Sequence, residues 1–261
     1  MTLSELIAAM RSGAGFVQAG IGDDWMQGRS AFGGLQAAIA LTAMRTLAPP
    51  EIPLRTLQMT FIAPVPAGTV GASARVLRAG RSTTQVEARL EAGGELLAHA
   101  IGVFGTARES IVRRGVPPPP RKTAPGRVLP YVAGIAPAFM QQFRIELVDG
   151  ALPFAGQHIS RIAYELGLRD SGAMTEAHLL AIADFVPPVA LSWLPKPSPG
   201  SSVTWMLELL GIDFAAQPLD GWRVESEMVA ARDGYTNQSS TIWAPDGSAV
   251  ALSRQSMVVF A

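Results

Sequence analysis

Apolar and polar positions along the chain change period several times, between helical spacing and strand spacing. Residues 3–10 repeat at helical spacing, and an extended apolar piece follows at 16–21. A stronger helical run begins after Gly34, covers 35–44 and stops before the Pro49-Pro50 pair. Because this run is apolar on nearly every side, we expect it to form a buried helix.

After this helix the apolar positions alternate with period 2, which is typical of antiparallel strands. In the first half, the strands predicted from this alternation are residues 54–63, 69–77, 83–91 and 95–104. The second half repeats the pattern with a helix at 175–185 and strands at 143–148, 158–166, 202–210, 222–231, 236–244 and 249–260. Two units of similar length and order indicate an internal duplication. We therefore expect an α+β fold in which two helix-wrapped antiparallel sheets pack as a pseudo-dimer.

The two units are joined by a segment of different composition. It contains a run of four prolines at 117–120, which stiffens the chain, and its basic residues are Arg108, Arg113, Arg114, Arg121, Lys122 and Arg127. We interpret it as a solvated linker, although basic side chains could also contact the phosphates of a nucleotide-bearing substrate. The predicted organisation is an N-terminal unit at 1–107, the linker at 108–138 and a C-terminal unit at 139–261.

Composition narrows the classes of function. Lysine plus arginine equals aspartate plus glutamate at 21 each, so no overall field favours binding to nucleic acid or to an anionic membrane. There is no cysteine, which excludes disulfides, thiolate metal sites and a cysteine nucleophile. The uncharged run 128–143 has 16 residues and is too short to span a membrane. With no evident secretion signal, we expect a soluble cytoplasmic protein.

Asp184 is the most informative residue of the second unit. It ends an apolar helical run and is surrounded in sequence by Ala183, Phe185 and Val186. A carboxylate in such a setting must be partnered or used, because burial of an unpaired charge is costly and raises its pKa. The alternative is an ordinary aspartate in a frayed last turn, since Pro187 follows soon after.

Several other chemistries lack their motifs. No complete Gly-x-Ser-x-Gly elbow, dinucleotide fingerprint or Walker lysine is present in the sequence. The three histidines, His99, His158 and His178, show no metal-ligand spacing, so we expect no metal and no cofactor. Aligning the ends of the two units at Phe104 and Phe260 places His99 opposite Gln255.

Several stretches, taken together in their order and spacing, are similar to the acyl-CoA thioesterase II family, which has a double hotdog fold. The matching stretches are 32–38, 61–64, 77–82, 183–191, 202–204 and 254–255. The resemblance covers most of the chain except the linker. It implies acyl-CoA as substrate, hydrolysis to a free carboxylic acid and CoA, a role in fatty acid metabolism, and a homo-oligomer, either a dimer or a tetramer.

The resemblance also implies a catalytic trio of an aspartate, a hydroxyl residue and a glutamine. Residue by residue, these fall on Asp184, Ser202 and Gln255, with Thr204 as the competitor for the hydroxyl, because we expect both hydroxyls on one strand face. This chain departs from the family in having Thr204-Trp205 where Asp-His is frequent, and Val186 where an asparagine occurs. We expect these departures to affect the substrate preference and the rate more than the type of reaction.

Thioester hydrolysis needs a positioned water, a base and donors for the developing oxyanion. Asp184 would be the base, and Ser202 and Gln255 would hold the water; direct attack by the carboxylate, giving an anhydride, stays open. The backbone N–H groups of Gly33 and Gly34, at a helix start, would polarise the thioester carbonyl. Alternatively, the two glycines only permit close packing of the helix on the sheet. Gln255 alone could equally be an ordinary strand residue.

The remaining residues concern the substrate rather than the reaction. Arg81, in a matching turn, is a candidate substrate-binding residue, positional rather than catalytic. The acyl chain length cannot be read from the sequence, and the candidates for blocking an acyl tunnel are Met59, Phe61, Trp205 and Met206. Two other functions stay open. One is a hotdog-fold enoyl-CoA hydratase, which would need a histidine near the aspartate, and the other is a non-catalytic acyl-CoA-binding or assembly module.

Overall fold

The computed structural model describes residues 1–120, 122, 125–211 and 213–260; Arg121 of the predicted linker lies outside the described residues. The helices are α1 (Leu3–Ala8), α2 (Gly33–Arg45) and α3 (Glu176–Ala183). The strands before the linker are β1 (Arg11–Gly13), β2 (Phe16–Ile21), β3 (Met26–Gln27), β4 (Ser30–Ala31), β5 (Leu54–Phe61), β6 (Gly68–Ala79), β7 (Thr83–Ala92) and β8 (Glu95–Gly105). The later strands are β9 (Arg127–Val128), β10 (Phe143–Asp149), β11 (Arg161–Leu168), β12 (Gly200–Leu209), β13 (Trp222–Arg232), β14 (Tyr235–Trp243) and β15 (Ala249–Val259).

A single antiparallel sheet of 13 strands runs through both halves of the chain. Its order is β1-β2-β6-β7-β8-β5-β12-β15-β14-β13-β11-β10-β9, while β3 and β4 pair separately. The halves join where β5 pairs with β12. Helices α2 and α3 pack against each other and against one face of the sheet, which we call the inner face. The opposite face is the outer face.

Helix α2 is buried along nearly its whole length, as its apolar pattern predicts. Leu35, Ile39 and Met44 have no exposed surface, and the small residues between them let the helix approach its neighbours. Gly34 lets α2 approach α3 closely, because a Cβ added there would lie 2.8 Å from the Cα of Ala181. The pair of helices therefore forms the centre of the core, with the sheet wrapped around it.

Matching β-bulges show that the two halves repeat one another strand by strand. The ladder of β5 and β8 shifts register between Leu54 and Thr56, and the ladder of β12 and β15 shifts between Ser202 and Thr204. A second matching pair of shifts lies at Val76/Arg78 in β6 and Met228/Ala230 in β13. Such bulges are specific features of a strand pair, so their recurrence supports the duplication inferred from the sequence.

The same bulges correct the predicted correspondence of His99 with Gln255. Leu54 pairs with Phe104 and Ser202 pairs with Met257, so the counterpart of Gln255 is Gly102, two residues before Phe104. His99 instead lies on the outer face, where its Nε2 contacts Glu87 at 2.9 Å. The end-to-end alignment was wrong because it ignored the strand pairing, which fixes the face on which each side chain lies.

At one end of the helix pair, Glu176 at the start of α3 meets Arg45 at the end of α2. Arg45 Nη2 and Nε donate to the two carboxylate oxygens at 2.6 and 2.9 Å, and the Leu54 N–H donates to the same carboxylate. The guanidinium also lies 4.5 Å from the centre of the Phe104 ring. This bidentate, partly buried pair closes that end of the interface between the helices.

The linker is exposed in its first part and attached to the C-terminal half in its later part. Trp243 Nε1 donates to the carbonyl of Pro117 at 2.9 Å, and Lys122 pairs with Glu146 and Glu165. Strand β9 then adds to β10 at the edge of the sheet. Strands β1, β3, β4 and β9 are too short for the alternation to predict them. Across the described ranges, no helix is long and apolar enough to cross a membrane.

Candidate active site

Asp184 is the C-cap of α3 and lies beside the first turn of α2. Its Oδ1 accepts a hydrogen bond from Gln255 Nε2 at 2.5 Å, and its carboxylate accepts another from the Gly34 N–H. Burial raises the pKa of Asp184 to about 7, although both hydrogen bonds oppose the increase. The carboxyl group is therefore close to half ionised at neutral pH, as a general base requires.

The carboxylate also compensates for a missing cap on α2. Phe32, at the N-cap position of α2, makes no side-chain hydrogen bond to the helix start, so the first N–H groups need other acceptors. Asp184 supplies one from the neighbouring helix, where the positive end of the helix dipole favours an anion. Gly33 makes room for it, since a Cβ there would lie 2.6 Å from Asp184 Oδ2 and 3.1 Å from the Phe61 ring.

An aromatic cluster fixes the residues on either side of this contact. Phe32 precedes Gly33, Phe185 follows Asp184, and both contact Phe139. The rings of Phe32 and Phe139 stack with centroids 4.1 Å apart, and Phe185 meets Phe139 edge-on at 6.1 Å. Such ring pairs restrict the backbone on both sides of the carboxylate. Sequence reasoning missed Phe139, which lies in a short turn after the linker.

Gln255 lies on the inner face of β15 and is 5 % exposed. It pairs with Trp205 of β12 on one side and with Gln238 of β14 on the other. Gln238 is also buried; its Oε1 accepts from the Val189 N–H at 2.9 Å. Gln238 therefore holds the loop that follows Asp184. Sequence reasoning missed this residue, and its only signal was a polar position within an alternating strand.

Ser202 and Thr204 do not share a face of β12, contrary to expectation. Ser202 pairs with Met257, on the inner face with Gln255, whereas Thr204 pairs with Ser256 and is exposed on the outer face. The bulge between them adds one residue and so reverses the alternation. Ser202 is thus on the same face as the Asp184–Gln255 contact, and Thr204 is not.

Arg81 lies far along the sheet from Asp184. Its turn joins β6 to β7 and borders Gly105, which bonds to Pro53 at the start of β5, whereas Asp184 and Gly33 lie near Phe61 at the other end of β5. Arg81, with Arg78 and Arg108, lines a surface cavity of about 320 Å³. The structure therefore does not bring Arg81 together with Asp184.

The acyl-tunnel candidates also divide between the two faces. Met59 and Trp205 are 2 % exposed on the inner face, and the ring of Phe61 approaches Gly33. Met206 pairs with Arg254 on the outer face, where it borders a cavity of about 750 Å³ between sheet and linker. That larger cavity is remote from Asp184. Within the described residues, no group of three histidine, aspartate or glutamate side chains is placed to hold a metal ion.

Comparison with known structures shows the fold. A conserved protein of unknown function with a hot dog fold from Alicyclobacillus acidocaldarius is similar at 22% identity and a TM-score of 0.86, covering 99% of this chain and 98% of that one. The acyl-CoA thioesterase II TesB2 from Mycobacterium marinum is similar at 14% identity and 0.75, covering 98% and 97%. A tesB protein from Mycobacterium avium subspecies paratuberculosis is similar at 13% identity and 0.78, covering 100% of both chains. The predicted double hotdog fold is confirmed.

Comparison of the sequence shows the family. No curated protein sequence matches the chain. The family model of the acyl-CoA thioesterase N-terminal domain matches residues 21–105, and that of the acyl-CoA thioesterase C-terminal domain matches 113–259. These matches cover most of the sequence and support a thioesterase acting on acyl-CoA. With both domains present in order on a double hotdog fold, the chain belongs to the acyl-CoA thioesterase family.

Proposed function

We propose that this protein hydrolyses acyl-CoA to a free carboxylic acid and CoA, with Asp184 as the general base. The observation that carries this proposal is the Asp184–Gln255 contact at the start of α2, with burial raising the pKa of Asp184 to about 7. A carboxylate with that pKa is both a competent proton acceptor and substantially ionised at neutral pH.

The contact also suggests where the attacking water lies. With its amide nitrogen turned towards Asp184, Gln255 presents its oxygen as an acceptor for one proton of the water. Ser202 supplies a hydroxyl from the neighbouring position on the inner face. Asp184 accepts the second proton as the water oxygen attacks the carbonyl carbon, and the tetrahedral intermediate forms.

The start of α2 stabilises the oxyanion. Gly34 already donates its N–H to Asp184, so the Gly33 N–H is the donor that we assign to the thioester oxygen. Collapse of the intermediate breaks the carbon–sulfur bond, and the proton held by Asp184 passes to the departing CoA sulfur. Atoms and charge then balance, with acid and thiol as products.

Direct attack by Asp184 on the thioester is the variant mechanism. It would form a mixed anhydride and release CoA before water enters. Single turnover in H₂¹⁸O separates the two routes if the anhydride is hydrolysed at the Asp184 carbonyl, since ¹⁸O then enters Asp184. Label found only in the released acid, with none in Asp184, supports the water route.

A thiol-release assay over straight-chain acyl-CoAs tests the function. We expect thiol release by the wild-type protein and a loss of about 100-fold or more in Asp184→Ala. Thiol release from no substrate would favour an acyl-CoA-binding or assembly module. A change in enoyl-CoA absorbance without thiol would indicate a hydratase, for which His178 is not placed, since it contacts Ser4, Thr175 and Asp170.

The proposal also covers the domain boundaries, the cellular location and the oligomeric state. We assign residues 1–107 to the N-terminal hotdog, 108–138 to the linker and 139–261 to the C-terminal hotdog. The N-terminal family match ends at 105, close to the first boundary, whereas the C-terminal match begins at 113, within the assigned linker. We propose that the protein acts in fatty acid metabolism, in the cytoplasm and as a homo-oligomer. Light scattering on the purified protein tests the oligomer: a dimer or tetramer supports it, and a monomer at micromolar concentration would overturn it.

A further inference from the structure

One row of paired side chains crosses the inner face of the sheet at the level of Gln255. The row continues from Gln255 to Trp205, then to Met59, Ala100 and Ala88, each on the next strand. Neighbouring strands are about 4.8 Å apart, so Trp205 is one strand spacing from the glutamine and Met59 is two. Two large apolar side chains therefore stand next to the candidate site, and small ones follow.

Directly beside Gln255 in this row, apolar surface is available on one side only, that of Trp205. On the other side, Gln238 is polar and its amide oxygen is bound to the Val189 N–H. An acyl chain whose carbonyl lies between Asp184 and Gln255 and which follows this row must therefore run towards Trp205. Along that direction its methylene groups contact apolar surface at once and gain free energy by leaving water.

The indole of Trp205 is fixed in place. Its Nε1 donates to Ser253 Oγ at 2.9 Å, and both residues are buried. Ser253 is two residues before Gln255 on β15, so the ring extends from the row of Gln255 away from the end of the sheet that carries Ser202. Swinging the ring aside would leave a buried N–H without an acceptor, which is unfavourable.

We propose that Trp205 is the residue that limits acyl chain length, so that the protein acts on short-chain acyl-CoA. This inference rests on the proposed thioesterase activity and adds its substrate class. A short acyl chain ends before the indole, whereas a longer chain must displace it. Behind the indole and Met59 the row continues with two small side chains, Ala100 and Ala88, and removing the indole frees the volume that a longer chain needs.

The test is a comparison of chain-length profiles between the wild-type protein and Trp205→Ala. Thiol release is measured with C4, C8, C12 and C16 acyl-CoA, and the ratio of kcat/KM for C12 to that for C4 is compared. We expect this ratio to rise at least about tenfold in the variant, since pocket contacts with individual methylenes discriminate by about 10–200-fold. Trp205→Leu should give an intermediate ratio.

Met206→Ala is the matched control. Met206 is the next residue on the same strand but lies on the outer face, so its variant should keep the wild-type ratio. If Trp205→Ala does not fold, Trp205→Leu and Met59→Ala carry the same comparison. A folded Trp205 variant with a ratio within about twofold of wild type overturns the inference. Absence of thiol release by the wild type overturns the proposed function instead, so the two failures are distinguishable.

Discussion

Asp184→Asn should abolish activity and stabilise the protein at alkaline pH. The amide keeps the shape of the carboxyl group, can accept from the Gly34 N–H, and can donate to the Gln255 oxygen once that amide turns over. What it removes is the cost of holding a charge in a partly buried, apolar position. The ordinary pKa of 3.8 becomes about 7 in the folded protein, which corresponds to roughly 4 kcal/mol of preference for the neutral form.

The direction of the pH dependence follows from proton binding. Between pH 3.8 and about 7 the folded protein holds a proton on Asp184 that the unfolded chain has released, so raising the pH through this window destabilises the fold. The asparagine variant has no such loss. Because Asp184 is only partly buried and the effective dielectric is high, we expect about 2 kcal/mol rather than the full amount at pH 8 to 9.

Chemical denaturation at pH 5 and pH 9 measures the effect. The stability difference between Asp184→Asn and wild type should favour the variant at pH 9 and should be clearly smaller at pH 5. In parallel, kcat/KM of the wild type should rise with pH and level off above about 7, as the base becomes ionised. A variant less stable than wild type at pH 9, or a difference that does not depend on pH, would refute the buried charge as the cause.

Four further substitutions test the other candidate residues of the site. Gly33→Ala should lower kcat about 100-fold or more, because its Cβ would displace the Asp184 carboxylate; thiol release near the wild-type rate would contradict this. Ser202→Ala should lower kcat about tenfold or more while Thr204→Ala leaves it within about twofold, and the reverse result would assign the hydroxyl to Thr204. Gln238→Leu should lower kcat more than it raises KM, and should shift the pH profile of kcat/KM, because the loop after Asp184 loses its hydrogen bond to Gln238. An effect only on the unfolding temperature would show that Gln238 has a structural role alone.

The secondary structure was predictable because it depends on local patterning. The buried helix α2 and the long strands follow from periods of 3.6 and 2 within single segments, and their observed bounds differ from expectation by a few residues. The candidate base was also visible, since a lone carboxylate in an apolar helix needs an explanation. Asp184 and Gln255 are 71 positions apart, and it was their family resemblance that joined them.

What the sequence did not reveal depends on pairing between distant segments. The bulge that separates Ser202 from Thr204 exists only in the ladder of β12 with β15. The anchoring of the loop by Gln238 and the stacking of Phe32 on Phe139 are likewise contacts between elements far apart in the chain. Alternation within one strand contains no information on these contacts, because it assumes an unbroken register.

The position of Gly102 shows what fusion of the two copies permits. In a symmetric homodimer every substitution appears twice, so a residue suited to one end of the interface is imposed on the other. Here the counterpart of Gln255 is a glycine, and the sulfur of Met44 lies 2.7 Å from where its Cβ would be. One end of the helix pair holds Asp184, whose burial costs stability. The other end is filled by the Met44 sulfur, the Phe104 ring and the Arg45–Glu176 ion pair. Because one gene encodes both copies, residues that serve catalysis and residues that stabilise the fold can be selected at separate positions.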